Sequence, residues 1–194
     1  MKRNGMRDRM KKFCQCVSQK EEKIGRFIIH LDKIKVNESV EDFSYVSIRD
    51  GVTVLPVVNS ENIVAIRQYR YPIKKWTLEL PGGVIEANEQ PEEAAIRELE
   101  EETGYKAASM IPLGVHYPSF GATDEKVFLF AAMCDKKEMP KLDCAEEIVN
   151  EVMCMEEFET KINAEEIEHA SAIIAWYRYK AYLAKYKMNI KKNV

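Results

Sequence analysis

The chain contains no apolar run approaching the roughly 20 residues that a bilayer-spanning helix needs, so no membrane span is expected. It is poor in histidine, with three in 194 residues. His30, His116 and His169 are scattered, and structural roles are expected for each. No Ser-His-Asp or Cys-His arrangement with recognisable local context occurs, which leaves a covalent mechanism unsupported. Five cysteines make an odd count without a regular framework, against a disulfide-stapled extracellular fold. Cys14 and Cys16 form a CxC pair, but no second ligand pair at zinc-finger spacing accompanies it. Cys134, Cys144 and Cys154 sit in or near strand-like segments and read as small core hydrophobes. Repeats, low-complexity tracts and obvious linkers are lacking too. The net charge of -3 gives no overall drive toward nucleic acid.

What is present is ordinary for a globular protein: 46% hydrophobic and 31% charged residues. The first twenty residues are basic but have no apolar stretch of the kind that follows in a secretory signal. Residues 1–22 are therefore expected to form a solvated tail, and the protein is expected in the cytoplasm.

Ile24 to Val36 and Phe43 to Arg49 read as extended, with β-branched and aromatic residues partly alternating. After the Asp50-Gly51 turn, VTVLPVV and IVAIRQYRY read as paired strands. Trp76 to Leu80 is a short strand ended by Pro81-Gly82-Gly83. A helix follows: Pro91 suits its first turn, Glu92 and Glu93 complement its positive end, and Gly104 suits its C-terminal cap. Met110 to His116, Lys126 to Cys134 and Val149 to Met155 read as strands, and Ala164 to about Lys187 as a closing helix. This order predicts an α/β fold, a mixed sheet sandwiched between helices.

On the first helix Glu98 and Glu102 stand one turn apart with Glu101 on the same side, a cluster of like charges. A solvated acidic face would explain the glutamates alone. It would not explain Gly83, Glu89, Arg97 and Gly104 around them. Hard cations such as Mg²⁺ take oxygen ligands and bridge carboxylates to phosphates.

Gly83, Glu89, Arg97, Glu98, Leu99, Glu101, Glu102 and Gly104 fall on the fixed positions of G-x5-E-x7-R-E-U-x-E-E-x-G-U, so the segment resembles the Nudix box. Only Tyr105 departs, at a position the pattern reserves for an aliphatic residue. The resemblance implies a Nudix fold with an N-terminal strand extension and hydrolysis of a nucleoside diphosphate derivative. Mg²⁺ is the implied cofactor, with Mn²⁺ as a substitute. Glu98, Glu101, Glu102 and the Gly82 carbonyl would be metal ligands, Arg97 would anchor the glutamates, and Glu89 would hold the loop. The general base would be Glu147 or Glu146, with Glu147 also near the metal.

Outside the box, Arg67-Gln-Tyr-Arg-Tyr-Pro72 and Leu78-Glu-Leu-Pro-Gly-Gly83 resemble the ADP-ribose and nucleoside-diphosphate-sugar pyrophosphatase branch. Arg70, Arg67, Trp76, Phe120 and Glu79 become candidate substrate contacts. Arg70 would grip pyrophosphate, or else join a strand-end ion pair. Phe120 stands where that branch carries proline. The branch also implies a homodimer built through strands in residues 23–50, with residues 51–194 as the hydrolase domain. Dinucleoside polyphosphates, nucleotide cofactors and a non-catalytic nucleotide sensor are the alternatives, and the intact glutamate set opposes the last.

Overall fold

The computed structural model describes residues 14–140 and 147–192 and divides them between two compact units. Among the described residues no helix is long and apolar enough to cross a membrane.

The first unit comprises the chain up to Ile48 together with Ser119–Glu125. It holds an antiparallel sheet of β1 (Cys14–Ser18), β2 (Glu21–Ile24), β3 (Phe27–Val36) and β4 (Ser39–Ser47). β4 runs along one edge of β3, while β1 and β2 share the other in tandem. Two expectations change here. Cys14–Ser18, Glu21 and Glu22, read from sequence as tail residues, lie in strands. The segment from Ile24 to Val36 is also not one strand, because Gly25 at φ 60° turns the chain into a hairpin. The Ser119–Glu125 segment is tied to β4: the Ser47 hydroxyl donates to Asp124 at 2.6 Å, and the Ile48 amide donates to the same carboxylate at 3.0 Å.

The second unit is a six-stranded mixed sheet of β5 (Gly51–Val58), β6 (Asn62–Arg70), β7 (Lys75–Glu79), β8 (Tyr105–His116), β9 (Val127–Lys137) and β10 (Ile148–Cys154). The order is β10-β6-β5-β9-β8, with β7 on the far part of β6. Among its described strands, only β5 and β9 pair in parallel. β5 is buried along its whole length, as a near-continuous apolar run predicts. Its side chains alternate between two cores. Val52 and Val54 meet Ala94, Ala95 and Leu99 of α1 (Pro91–Thr103). Leu55 and Val57 meet Phe158 and Ile162 of α2 (Met155–Asn163) and Ala172, Ala175 and Trp176 of α3 (Ala170–Lys192). Helices thus cover both faces of a mixed sheet, as expected.

The closing helix differs from its sequence reading. α2 begins where β10 ends, with Cys154 as its cap, and α3 starts only at Ala170. Cys154 is exposed rather than a core residue, since its thiol accepts the Glu157 amide at 3.4 Å. Cys134 is partly buried, and burial pushes its thiol up to about 12. Cys144 lies outside the described residues.

Helix α1 is bounded by local chemistry. Gln90 and Glu93 form a reciprocal capping pair, Pro91 opens the first turn, and Gly104 ends the helix at φ 74°. Gly104 also serves as a seat for backbone: a Cβ there would stand 2.1 Å from the Glu138 carbonyl oxygen. Gly104→Ala is therefore expected to cost about 2–4 kcal/mol, from left-handed strain and this contact together. Urea unfolding measures it, and a loss below about 1 kcal/mol would contradict the seat.

Candidate active site

The box residues converge where α1 packs beside the Pro81–Gly83 segment. Val54 donates its amide to the Pro81 carbonyl at 2.9 Å and Val52 to that of Gly83 at 2.8 Å, so this segment runs along β5. The Gly82 amide between them faces α1 and donates to Glu102 Oε2 at 2.8 Å. In extended backbone the N–H and C=O of one residue point the same way, which carries the Gly82 carbonyl toward α1 as well. Both glycines are dictated by close approach. A Cβ on Gly82 would meet the Val52 oxygen at 2.1 Å, and one on Gly83 would meet Glu98 Oε1 at 2.3 Å.

Arg97 organises the acidic cluster. Its Nε and Nη2 donate to the two oxygens of Glu89 at 2.8 and 3.0 Å. Its Nη1 donates to Glu98 at 2.8 Å and Glu101 at 3.0 Å. Nη2 also reaches the Val84 carbonyl at 3.1 Å. These charge-assisted bonds hold the guanidinium firmly charged and keep the Glu89 carboxyl below its usual range. Glu89 closes the box loop by accepting the Glu86 amide at 2.8 Å, and Asn88 takes a left-handed φ of 67° in that turn. Glu102 is 5% exposed, the most deeply placed of the three glutamates on this helical face.

Among the described residues no three His, Cys, Asp or Glu side chains converge closely enough to enclose an ion as they stand. Glu98 and Glu101 turn to Arg97, and Glu102 turns to the Gly82 amide. The donor chemistry nevertheless fits a hard divalent cation. Four carboxylates against one guanidinium leave three formal negative charges in excess, beside a backbone carbonyl that faces them.

A second polar group lies on β6 and β7. Arg70 Nε and Nη2 donate to Glu79 at 2.8 and 2.6 Å, and the Thr77 hydroxyl adds a bond to Glu79 Oε1 at 2.5 Å. Arg70 thus makes the strand-end ion pair. Burial pushes the Glu79 carboxyl up, but Arg70, His169 and Thr77 together hold it below its ordinary value. His169 Nδ1 stands 3.8 Å from Glu79, and burial lowers its pKa. Arg67 donates to Glu151 at 2.5 Å across β6 and β10. Trp76 is half-exposed and packs edge-on to Tyr69. Phe120 belongs to the first unit and is 85% exposed. Glu147 is exposed immediately before β10, and Glu146 lies outside the described residues. His116 bonds Ser171 at 2.9 Å, a structural role as expected.

Sequence reading singled out none of Thr77, Gln68 and Asn150, and it gave His169 a structural role only. For Thr77 a signal was available, since strand alternation puts it on the face of Glu79.

A family model described as NUDIX domain matches residues 47–177. An ADP-ribose pyrophosphatase of Bacillus subtilis (strain 168) is 42% identical over 82 residues, which make up 42% of this chain and 44% of that protein. An ADP-sugar pyrophosphatase of Mus musculus is 49% identical over 61 residues, 29% of this chain and 28% of that protein. The chain therefore spans less than half the length of these curated relatives. A crystal structure of an ADP compounds hydrolase superposes with a TM-score of 0.80 at 18% identity, covering 90% of this chain and 96% of that one. That likeness establishes the fold.

The Glu79 pair makes stability depend on pH in a definite direction. Its carboxyl is depressed in the folded state, so the stabilisation is present above the ordinary carboxyl range and is lost as pH falls through the folded value. Arg70→Met is expected to cost about 2 kcal/mol at neutral pH, discounted because Arg70 is half-exposed. The gap from wild type should narrow as pH drops below the usual carboxylate range. Urea unfolding at pH values spanning that range tests it, and a gap that widens on acidification would refute the assignment.

Proposed function

The chain belongs to the Nudix family, and we propose that it hydrolyses the pyrophosphate bond of a nucleoside diphosphate sugar, ADP-ribose first among them. The products from ADP-ribose would be AMP and ribose 5-phosphate. The observation that carries this reading is the intact cluster of three glutamates, Glu98 and Glu101 on Arg97 and Glu102 on the Gly82 amide. The names of the Bacillus and mouse relatives support the substrate class.

Family members generally use divalent metals; Mg²⁺ is the cofactor proposed here, with Mn²⁺ able to substitute. When bound, it neutralises charge on the phosphates and lowers the pKa of an attacking water. Glu98, Glu101, Glu102 and the Gly82 carbonyl would hold it. Arg97 holds Glu98 and Glu101 side by side on the helix face, and their carboxylates would turn from it in part to meet the cation. Glu147 or Glu146 would take the proton of the water, by their place in the chain before β10. Arg67, Arg70, Glu79 and Trp76 remain the candidates for substrate contact. Arg70 would have to share its guanidinium between Glu79 and a phosphate, which its planar set of donors permits.

A homodimer is part of the same proposal, built through the sheet of the first unit. Its exposed Val17, Ile24, Ile28, Leu31, Val40 and Phe43 are unusual for a solvated sheet. A monomeric mass by light scattering at micromolar protein would reject it.

Hydrolysis of ADP-ribose, ADP-glucose and a dinucleotide panel, with and without Mg²⁺, tests the central reading. Wild type is expected to release AMP only with metal. Glu102→Gln should lower kcat by about 10²-fold or more while retaining nucleotide binding. Undiminished turnover in that variant would remove the glutamate cluster from the mechanism.

A further inference from the structure

Two buried amide oxygens on the α1 side of the sheet have no hydrogen-bond donor among the described residues: Gln68 Oε1 and Asn150 Oδ1. Their side chains share one face. The register pairs Gln68 with Ile148 and Ile66 with Asn150, and residues opposite each other in an antiparallel ladder point the same way. Gln68 and Asn150 are therefore diagonal neighbours. On the other edge of β6, Gln68 stands opposite Thr77 and Ile66 opposite Glu79, which extends the same face onto β7. Helix α1 reaches this face too, since Asn150 Nδ2 donates to the Thr103 carbonyl at 3.2 Å, one residue beyond Glu102.

That bond fixes the Asn150 amide. A backbone carbonyl can only accept, so the nitrogen must face Thr103 and the oxygen must point elsewhere. Gln68 is only 8% exposed, and its Oε1 meets no donor among the described residues. Native interiors rarely leave buried acceptors unmet, and such groups are met by ordered water or by a bound molecule.

We infer that Gln68 and Asn150 are specificity-determining contacts that receive the hydroxyl groups of the sugar in the substrate, an inference that rests on the nucleotide-sugar reading above. Ionised phosphate offers acceptors only and would be repelled by these oxygens. An amine would satisfy Asn150, but it matches Gln68 in one amide orientation alone. A hydroxyl both donates and accepts, so it satisfies a glutamine amide in either orientation and the fixed Asn150 oxygen as well. Adjacent sugar hydroxyls supply two such groups side by side. Thr77 and Glu79, on the same face, add a hydroxyl and a carboxylate of the kind that bind polyols.

The test is calorimetric titration, in Mg²⁺, of the full chain carrying Glu102→Gln, which slows turnover, with ADP-ribose and with ADP, which lacks the distal sugar. The parent should bind ADP-ribose more tightly than ADP. Gln68→Leu and Asn150→Leu should each weaken ADP-ribose by about five-fold or more and leave ADP within about two-fold. Asn150→Leu also strands the Thr103 carbonyl, so thermal melting precedes titration and Gln68→Leu decides alone if the other variant unfolds. Unchanged ADP-ribose affinity in Gln68→Leu, or equal weakening for both ligands, overturns the inference and leaves the nucleotide-sugar reading standing. A wild-type chain that neither binds nor cleaves any nucleotide sugar overturns both.

Discussion

The acidic helix face can exist only because one guanidinium stands in its midst. Glu89, Glu98 and Glu101 all accept from Arg97, so their mutual repulsion is offset at the point where it is greatest. The same side chain reaches the Val84 carbonyl, which binds the box loop to the helix that follows it. Arg97 is thus at once a charge balance and a fastener between two segments. Its planar fork suits the task, since separate N–H groups meet separate partners. A lysine would carry equal charge without that division of donors.

This hub constrains the backbone as firmly as it constrains the charges. Glu98 lies so close to Gly83 that no side chain fits there, and Gly82 is pressed equally closely against β5. The Pro81–Gly83 segment therefore works between a fully buried strand on one side and carboxylates on the other. Rigidity at this point comes from the central strand. The acidic helix inherits it through the Glu102–Gly82 bond and through Leu99, packed against Val52 and Val54.

The glutamate cluster was legible in the sequence because its geometry is local. Helical spacing alone puts Glu98, Glu101 and Glu102 on one side, and Gly83, Glu89 and Gly104 mark the turns around them. The sandwich was legible for a similar reason, as apolar runs and turn residues alternate at recognisable lengths. What escaped depended on register or on one backbone angle. Gly25 turns a single extended run into a hairpin because its φ is positive, and Ile28, Leu31 and Ile34 on either pattern look alike. The closing helix reads as beginning at Ala164, yet it starts only at Ala170, after a separate helix over Met155–Asn163 and a break where Glu165 takes a φ of 59°. Gln68 and Asn150 are more than eighty residues apart, and no local pattern announces that β10 will lie along β6.

The α1 side of the sheet is chemically divided, and that division gives a substrate a direction. At the box end the protein offers excess negative charge and a carbonyl, groups that suit phosphate only with a divalent cation between them. At the β6–β10 end it offers neutral amide oxygens, which repel phosphate whether or not a cation is bound nearby. A molecule with pyrophosphate at one position and hydroxyls at another can meet both conditions in one orientation and not in the reverse. The cation governs binding at one end and has little influence at the other. Selectivity among nucleoside diphosphate compounds then resides in the neutral groups, because every such compound carries the same phosphates to the same glutamates.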